Sequence, residues 1–168
     1  DTGHVERLAR ELAANGIAAA AIVFLHSFTN PADERAAREA VQRAAPGMRV
    51  SISSDVVPEI REFERASTTI ANVYVQDLVE RYLRTLQVRL RGLGLGGEFF
   101  LMLSSGGIAT VDTAARYPVR LLESGPAAGA LAATVYGQAA GHQDVLSFDM
   151  GGTTAKICVI DHGQPLIA

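Results

Sequence analysis

The sequence lacks a pair of cysteines, a strong excess of one charge and a long apolar run, and each absence excludes a class of protein. Cys158 is the single cysteine, so no intrachain disulfide can form, which is typical of proteins of the reducing cytoplasm. The 15 basic and 18 acidic residues give a net charge of -3 without a basic stripe, so we expect no nucleic-acid partner. The longest apolar stretch, residues 16–25, is too short to span a membrane and follows a helical pattern, so we expect neither a membrane partner nor a signal peptide.

Several patterns with well-defined chemistry are also missing. No spacing of His, Cys and carboxylate side chains makes a zinc site, and there is no nucleophile elbow, no Walker A lysine and no two-cysteine redox motif. His26 follows an apolar run and is interpreted as a buried, hydrogen-bonded histidine, whereas His4, His142 and His162 are interpreted as exposed. The functional site must therefore be sought in other residue types.

Helix-like and strand-like segments alternate along the chain, whose 168 residues are 48% hydrophobic, enough for a substantial core. The apolar spacing from Val5 to Leu12 predicts a first helix that ends at Asn15 and Gly16, and Asn30 is expected to cap the second. Helices are predicted over 30–45, 67–93 and 112–116 and from Ser124, and strands over 17–25, 48–53 and 98–103 and from 145. This alternation predicts an α/β fold with at least partly parallel strands.

Both ends of the chain suggest a piece of a longer protein. A helix begins almost at Asp1 with no strand to pair with, and the chain stops at Ala168, where a third strand after "DHGQP" would begin. No low-complexity segment or charge block offers a linker. We therefore expect a fragment, which a longer encoded sequence would confirm.

Residues 145–160, "VLSFDMGGTTAKICVI", carry the strongest candidate site. Two β-rich runs flank a Gly-Gly turn, where glycines adopt turn dihedrals and let a ligand approach consecutive backbone N–H groups without a Cβ in the way. Such a turn suits a phosphate, and Asp149 at the strand end can hold a hydrated magnesium ion or orient an attacking water. The same pattern occurs in ordinary hairpins, and the residues alone leave both interpretations open. The candidate phosphate ligands are Gly151, Gly152, Thr153 and Thr154.

Three further groups of polar residues are weaker candidates. The "SSGG" segment follows a predicted strand and could hold substrate or phosphate, although a strand-to-helix loop needs the same residues. Ser124 is expected to cap the next helix, with a phosphate contact as the alternative, and small residues at 127–133 predict that this helix packs closely on a neighbour. Thr68, Thr69 and Asn72 could cap the long helix or face a cleft. The substrate candidates are Ser104, Ser105, Gly106 and Gly107.

Five segments resemble, in order, blocks of the hydantoinase A and oxoprolinase family. They read "AAAAIVFLHSFTNPADERAAREAV", "SISSDVVPEIREFERASTTIANVYV", "FLMLSSGGI", "PVRLLESGPAAGA" and "FDMGGTTAKICVI", and they cover nearly the whole chain. The last two also resemble the segment of the actin, hexokinase and Hsp70 ATPase superfamily that joins a helix between two lobes to the second phosphate hairpin. The resemblance implies an α/β fragment of an actin-like, ribonuclease H-like ATPase fold, with a mixed sheet flanked by helices and ending in a phosphate-binding β-hairpin. It places part of the first lobe and an insert in 1–120, the lobe-joining helix in 121–142 and the start of the second lobe in 143–168.

The same resemblance implies an ATP-dependent enzyme that hydrolyses cyclic amides such as hydantoin, N-methylhydantoin or 5-oxoproline, with ATP and Mg²⁺ as cofactors. ATP would phosphorylate the amide or carbonyl oxygen of the substrate and make it a better electrophile. A hydantoinase B-type subunit or domain is the expected partner, and the isolated chain is expected to be inactive and to self-associate through uncovered apolar surface. The alternatives are an acetone carboxylase-type subunit and a non-enzymatic actin-like nucleotide-binding module.

Family roles are carried over residue by residue. Asp149 is implied as a catalytic residue and magnesium ligand. Glu123 is implied as a second catalytic residue, because it lies close to the sequence position where the superfamily has the acid of the lobe-joining helix. An alignment on Pro126 would put Gly125 at that position instead. Many family members have an acidic residue where this chain has Lys156, which is interpreted as a solvated or salt-bridged strand residue. The implied nucleotide contacts are Gly151, Gly152, Thr153, Thr154, Ser124 and Gly125.

Overall fold

The structure, a computed structural model, describes residues 1–166 and divides the chain into two compact units. Unit 1 comprises Asp1–Thr85 and Ala115–Val119, and unit 2 comprises Leu86–Ala114 and the described residues from Arg120 onward. No helix within the described residues combines the length and the apolar character that crossing a bilayer requires. The lobe boundaries expected at residues 120 and 142 stay predictions.

Unit 1 contains a parallel strand pair with helices packed around it. Its elements in chain order are α1 (Thr2–Ala14), β1 (Ala19–Ile22), α2 (Ala32–Ala44), β2 (Arg49–Ile52), α3 (Ser53–Val56) and the first part of α4 (Glu62–Gly92). β1 and β2 run parallel, from Ala19 opposite Arg49 to Ile22 opposite Ile52. Helix α1 packs against α2, and the buried core between these elements contains Ala9, Val41, Ala45 and Met48. The expected α/β class with parallel strands is therefore confirmed.

Strand β1 is shorter than the predicted 17–25, because the chain turns after it. The Thr29 N–H donates to the His26 carbonyl at 3.1 Å, inside a run of turns that leads to α2. Asn30 lies just before α2, and its side-chain oxygen accepts the Ala32 N–H at 3.1 Å. The expectation that Asn30 caps α2 is wrong, because Pro31 occupies the cap position. Asn30 lies one residue earlier and supports the start of the helix through an Asx-type hydrogen bond.

Helix α4 begins well before the predicted start at residue 67. Its first buried positions carry polar side chains, Arg65, Thr69 and Asn72, and its apolar buried positions come later, at Val73 and Leu83. Apolar periodicity reveals only a stripe of hydrophobic residues. The first turns of α4 were therefore missed because polar residues occupy their buried face.

Among the described residues, the remaining elements are five strands in two antiparallel sheets, a short helix, a 3₁₀ turn and one longer helix. In chain order they are β3 (Phe100–Met102), β4 (Ile108–Thr110), α5 (Val111–Arg116), a 3₁₀ turn (Pro118–Leu121), α6 (Ser124–Ala139), β5 (Val145–Met150), β6 (Ala155–Asp161) and β7 (Gln164–Pro165). β3 pairs with β4, β5 with β6, and β6 with β7, all antiparallel. The expected strand-to-helix loop at 104–107 is wrong: these residues join β3 to β4. Strand β4 has only three residues, too few to show a clear alternation.

The β5–β6 hairpin has one face of mixed polar and apolar side chains and one apolar face. Because side chains alternate along a strand, Val145, Ser147 and Asp149 share one face. Helix α6 packs on that face, since a Cβ added to Gly137 would lie 2.7 Å from Val145 Cγ2. The opposite face carries the exposed apolar side chains Leu146, Phe148, Met150, Ile157 and Val159.

Close packing of α6 occurs at Ala130, inside the expected segment, and again at Gly137. A Cβ on Gly129, inside the predicted 127–133 segment, would meet no atom within 4 Å. Gly137 instead sets the approach to the sheet, because a Cβ there would also lie 3.4 Å from the His142 carbonyl oxygen. The contact with β5 therefore fixes α6 near its C-terminal end.

Candidate functional site

A cavity of about 330 Å³ in unit 2 gathers most of the residues expected to bind phosphate. It lies between the first turn of α6 and the turn-side end of the β5–β6 hairpin. Gly152 and Thr153, at the tip of the turn, are not among its lining residues. The lining residues are Leu121, Glu123, Ser124, Gly125, Pro126, Asp149, Gly151, Thr154 and Lys156.

Strand register places Asp149 at this cavity. Asp149 stands opposite Lys156 across the hairpin, and both lie on the face that α6 covers. The Gly151 N–H donates to the Thr154 carbonyl at 3.0 Å and closes the turn directly beyond them. Asp149 is exposed, so its carboxylate is open to water and to a hydrated cation.

The fold itself does not explain the two glycines of the turn. Gly151 and Gly152 are not among the glycines with positive φ, so the expectation that the turn's dihedrals require glycine is wrong. A Cβ on Gly152 would meet no atom within 4 Å, and one on Gly151 would reach only the Thr154 carbonyl oxygen at 4.0 Å. What remains is the other property of glycine, an uncovered backbone that a ligand can approach closely.

The first turn of α6 offers unpaired backbone donors to the cavity. The Ala127 N–H donates to the Glu123 carbonyl at 3.3 Å, and the N–H groups before it have no acceptor within the helix. The expectation that Ser124 caps α6 is wrong, because Glu123 occupies the cap position with φ 63° and Ser124 is the first helical residue. Together with the helix dipole, the Ser124 and Gly125 N–H groups favour an anion at this end of the cavity.

Lys156 forms an ion pair with Glu123 inside the cavity lining. The side chain of Lys156 is 35% exposed and that of Glu123 is 66% exposed. The interpretation of Lys156 as a salt-bridged strand residue is therefore confirmed. Glu123 makes no capping hydrogen bond to α6, so its carboxylate is committed to Lys156 rather than to the helix.

The four candidate substrate residues at 104–107 form a hairpin turn outside this cavity. The Leu103 N–H donates to the Gly107 carbonyl at 2.8 Å, and the Gly106 N–H donates to the Leu103 carbonyl at 3.0 Å. Gly106 has φ 82°, and a Cβ there would lie 3.1 Å from Leu131 Cδ1, so the turn itself requires this glycine. Ser104 and Ser105 are exposed.

A buried polar network in unit 1 was missed by the sequence analysis. Glu34 accepts the backbone N–H of Phe24 at 2.9 Å and that of Ser54 at 2.8 Å. The Ser53 hydroxyl donates to Glu34 at 2.6 Å and accepts from Arg65 Nε at 3.0 Å. Glu34 and Arg65 are both fully buried. No local pattern marks these positions, because an acidic residue in the first turn of a helix is ordinarily explained by the helix dipole.

The network keeps Glu34 ionised. Burial opposes the charged form, but the hydrogen bonds from the Ser53 hydroxyl and from the backbone N–H groups of Ser54 and Phe24 outweigh it and lower the pKa of Glu34 below its usual 4.5. Arg65 also donates to the Phe24 carbonyl at 2.6 Å. The network therefore joins the segment after β1 to the start of α3 and to α4.

The polar cluster at the start of α4 has a structural role. The Thr69 hydroxyl donates to the Arg65 carbonyl at 2.7 Å within the helix. Asn72 donates to the Ser51 hydroxyl at 3.1 Å and to the Arg116 carbonyl at 3.2 Å. The capping role considered for Thr68, Thr69 and Asn72 is wrong, because α4 begins at Glu62 and all three lie inside it. Thr69 and Asn72 are buried. Thr68 is half-buried.

His26 is exposed, so its interpretation as a buried histidine is wrong. It adopts φ 56° in the turns after β1, and its ring centroid lies 5.9 Å from that of Phe28. His4, His142 and His162 are exposed, as expected.

Two other features of unit 2 lie away from the predicted residues. A groove of about 650 Å³ between the end of α4 and the β3–β4 hairpin contains none of them. Among the described residues, the ligand-type side chains close enough together to share a metal ion are Asp144, Asp161 and His162. Asp149 is outside that group, so a magnesium ion at Asp149 would take its other ligands from phosphate oxygens and water, as Mg²⁺ commonly does.

Comparison with known proteins identifies related sequences. Residues 65–168 match the family described as Hydantoinase/oxoprolinase, and residues 1–45 match the Hydantoinase/oxoprolinase N-terminal region. An uncharacterized protein of Methanocaldococcus jannaschii is 42% identical over 146 residues, covering 87% of this chain and 22% of that protein. The caprolactamase subunit alpha of Pseudomonas jessenii is 32% identical over 148 residues, covering 88% of this chain and 21% of the subunit. The chain thus spans about a fifth of the length of these relatives.

The solved structures that this chain resembles are of the same kinds of protein as its sequence relatives. A nucleotide-free acetone carboxylase and the ATP-dependent caprolactamase of Pseudomonas jessenii each match with a TM-score of 0.80 at 27% identity, over 95% of this chain and 23% of theirs. This likeness supports the expected α/β fold of the actin-like ATPase type. Because the family match covers residues 65–168 and the N-terminal match covers residues 1–45, the chain belongs to the hydantoinase/oxoprolinase family.

Proposed function

We propose that this chain supplies the second phosphate-binding region of an ATP-dependent enzyme that hydrolyses cyclic amides. The observation that carries this proposal is the cavity where Asp149, Gly151 and Thr154 meet the first turn of α6. A helix N-terminus and uncovered backbone N–H groups together favour a phosphate. Family membership, and the ATP dependence of the structurally similar caprolactamase and acetone carboxylase, support ATP as the source of that phosphate.

The phosphate contacts are proposed to be mainly backbone groups. The Gly151 N–H already donates to the Thr154 carbonyl, so the hairpin turn offers the N–H groups that follow Gly151. The first turn of α6 offers those of Ser124 and Gly125, and the threonines add hydroxyl donors. These contacts hold charge without needing to change protonation state. The proposed contacts are Gly151, Gly152, Thr153, Thr154, Ser124 and Gly125.

The two carboxylates are proposed to bind the metal ion and to pair with the lysine. Asp149 would hold Mg²⁺, and ATP would give its γ-phosphoryl group to the amide oxygen of the substrate with ADP as the leaving group, which would make the amide carbon a better electrophile. Glu123, the second candidate catalytic residue, holds Lys156 at the edge of the cavity. Substrate contact at Ser104–Gly107 stays a separate prediction, since this turn does not line the cavity.

The proposed substrate and partner rest on the related proteins. Hydantoin, N-methylhydantoin, 5-oxoproline or a lactam fits the family description and the caprolactamase relative. That relative is a subunit, which supports a hydantoinase B-type partner chain or domain. The single cysteine supports a cytoplasmic location. Carboxylation of a ketone is the second candidate, because the acetone carboxylase structure matches with the same TM-score of 0.80 as the caprolactamase.

Replacing Asp149 by alanine in the encoded protein that contains this chain tests the proposal. An electrostatic contact with the transferring phosphoryl group strengthens in the transition state, so the Asp149→Ala variant should lose on the order of a hundredfold or more in kcat. Its affinity for ATP should change much less. Calorimetry with ATP and an assay of ATP-dependent ring opening measure the two quantities, with one cyclic amide at a time.

Asp33→Ala is the matched control, because Asp33 is an exposed aspartate in the first turn of α2, in unit 1 and outside the cavity. It should keep its turnover. Full turnover in Asp149→Ala would show that the hairpin is an ordinary turn. Retained ATP binding with no ring opening, but with bicarbonate-dependent consumption of a ketone, would favour the carboxylase alternative.

A further inference from the structure

Lys156 is the single lysine in a chain whose basic residues total 15, and it lines the candidate phosphate cavity. The remaining basic residues are arginines, which make the ion pairs of unit 1, such as Arg38 with Asp55 and Arg49 with Glu80. Lysine differs from arginine because its ammonium group is a compact point charge with three donors on a flexible stem. Such a group can leave one oxygen partner and take another without a fixed fork geometry.

The charges that line the cavity do not favour a polyanion as they stand. Glu123 and Asp149 are acidic, and Lys156 is the one basic residue in the lining. Lys156 is already paired with Glu123. A nucleotide that enters therefore meets side chains with a net charge of -1, and the single cation among them is held by Glu123 instead of being free for a phosphate.

We propose that Lys156 exchanges Glu123 for a phosphate oxygen when nucleotide binds, so that Glu123 competes with the nucleotide and lowers its affinity. This inference rests on the proposed function, since it requires phosphates in this cavity. The exchange is inexpensive because the Glu123 side chain is 66% exposed and water solvates it once the lysine leaves. Lys156 lies opposite Asp149 across the hairpin, so one cross-strand pair presents a cation and a candidate metal ligand to the same phosphates.

Affinity for ADP without magnesium tests the exchange in the encoded protein that contains this chain. Chelating the metal removes the contribution of Asp149 through Mg²⁺ and leaves the side-chain charges. Loss of a charge-assisted hydrogen bond should weaken ADP binding about tenfold in Lys156→Met. Glu123→Gln should bind ADP a few fold more tightly, since the competitor is removed. Lys156→Arg keeps the charge and should lie between the wild type and Lys156→Met.

The double variant separates competition from a merely structural ion pair. With Lys156→Met in place, Glu123 has no lysine to withhold, so adding Glu123→Gln should raise ADP affinity less than it does alone. If the pair only stabilises the fold, Lys156→Met and Glu123→Gln lower the melting temperature and leave ADP affinity at the wild-type value. That result overturns the proposal.

Chemical labelling supplies a readout that does not depend on affinity. The peptide that contains Lys156 should be acetylated more slowly when ADP is bound. Without ADP, Lys156 of the Glu123→Gln variant should be acetylated faster than Lys156 of the wild type. Equal labelling with and without ADP contradicts the exchange. If instead no variant and no wild-type protein binds ATP or ADP, the proposed function fails. Normal ADP binding with unaltered affinity in every Lys156 and Glu123 variant refutes only the exchange.

Discussion

Glu34 and Arg65 are fully buried, and the hydroxyl of Ser53 hydrogen bonds to both. Moving a charge out of water is costly unless hydrogen bonds replace the lost hydration. Glu34 accepts two backbone N–H groups in addition to Ser53, and Arg65 donates to two backbone carbonyls. Single residues in unit 1 therefore fix turns by serving backbone groups that would otherwise be buried without partners.

Glu34→Gln should destabilise the chain and flatten its acid dependence. The amide replaces an acceptor that serves N–H and O–H donors, which costs about 1.5–3 kcal/mol for a charge-assisted hydrogen bond. Since the folded pKa of Glu34 is lowered below 4.5, its stabilisation is present above the pKa of the unfolded chain and is lost as pH falls through the folded value. Urea unfolding between neutral and acidic pH measures both effects.

Glu39→Gln is the control for this prediction, because Glu39 lies on the same helix and is exposed. Its free energy of unfolding should stay within about 0.5 kcal/mol of the wild type. Equal loss in the two variants would mean that the network around Glu34 contributes nothing particular.

At the scale of elements, α6 and the β5–β6 hairpin define the candidate site through two contacts at opposite ends of the helix. Gly137 lets the C-terminal part of α6 approach Val145. The ion pair of Glu123 with Lys156 joins the other end of α6 to β6. The cavity lies at that second end, where glycines leave the backbone uncovered. Glycines in the two places should therefore respond differently to substitution.

Gly137→Val should reduce stability, whereas Gly151→Val should reduce nucleotide affinity. A Cβ at Gly137 would overlap Val145 Cγ2 at 2.7 Å, and overpacking of this kind typically costs about 1–3 kcal/mol. At Gly151 the nearest atom is 4.0 Å away, so the melting temperature should hold while ATP affinity falls at least about tenfold, because the side chain blocks approach to the backbone. Thermal unfolding and calorimetry separate the outcomes. A Gly151→Val protein with normal ATP affinity would contradict the phosphate site.

At the scale of the whole chain, large apolar side chains are exposed in both units. The outer face of the β5–β6 hairpin exposes Phe148 by 60% and Ile157 by 63%, and these residues stand opposite each other. Leu146 and Val159 form the next cross-strand pair on the same face. A continuous apolar sheet face of this kind favours association when nothing covers it.

The chain expressed alone should therefore self-associate, and Phe148→Lys should weaken that association. A charge in the centre of the face makes its burial unfavourable. Gln143→Lys adds the same charge at an exposed position before β5 and serves as the control. Sedimentation velocity over a range of concentrations measures the association. Strictly monomeric wild-type chain at high concentration would show that this face does not associate.

The sequence by itself determined the α/β class, the hairpin around Asp149 and the family, because each depends on local periodicity or on motifs of adjacent residues. It missed the start of α4, where the buried side chains are polar, and it placed a helix after residues 104–107 where a strand follows. Only the tertiary structure decided that Lys156 pairs with Glu123 and that Glu34 and Arg65 meet at Ser53. These contacts join residues far apart in the chain, and strand register and helix packing, which no local pattern encodes, bring them together.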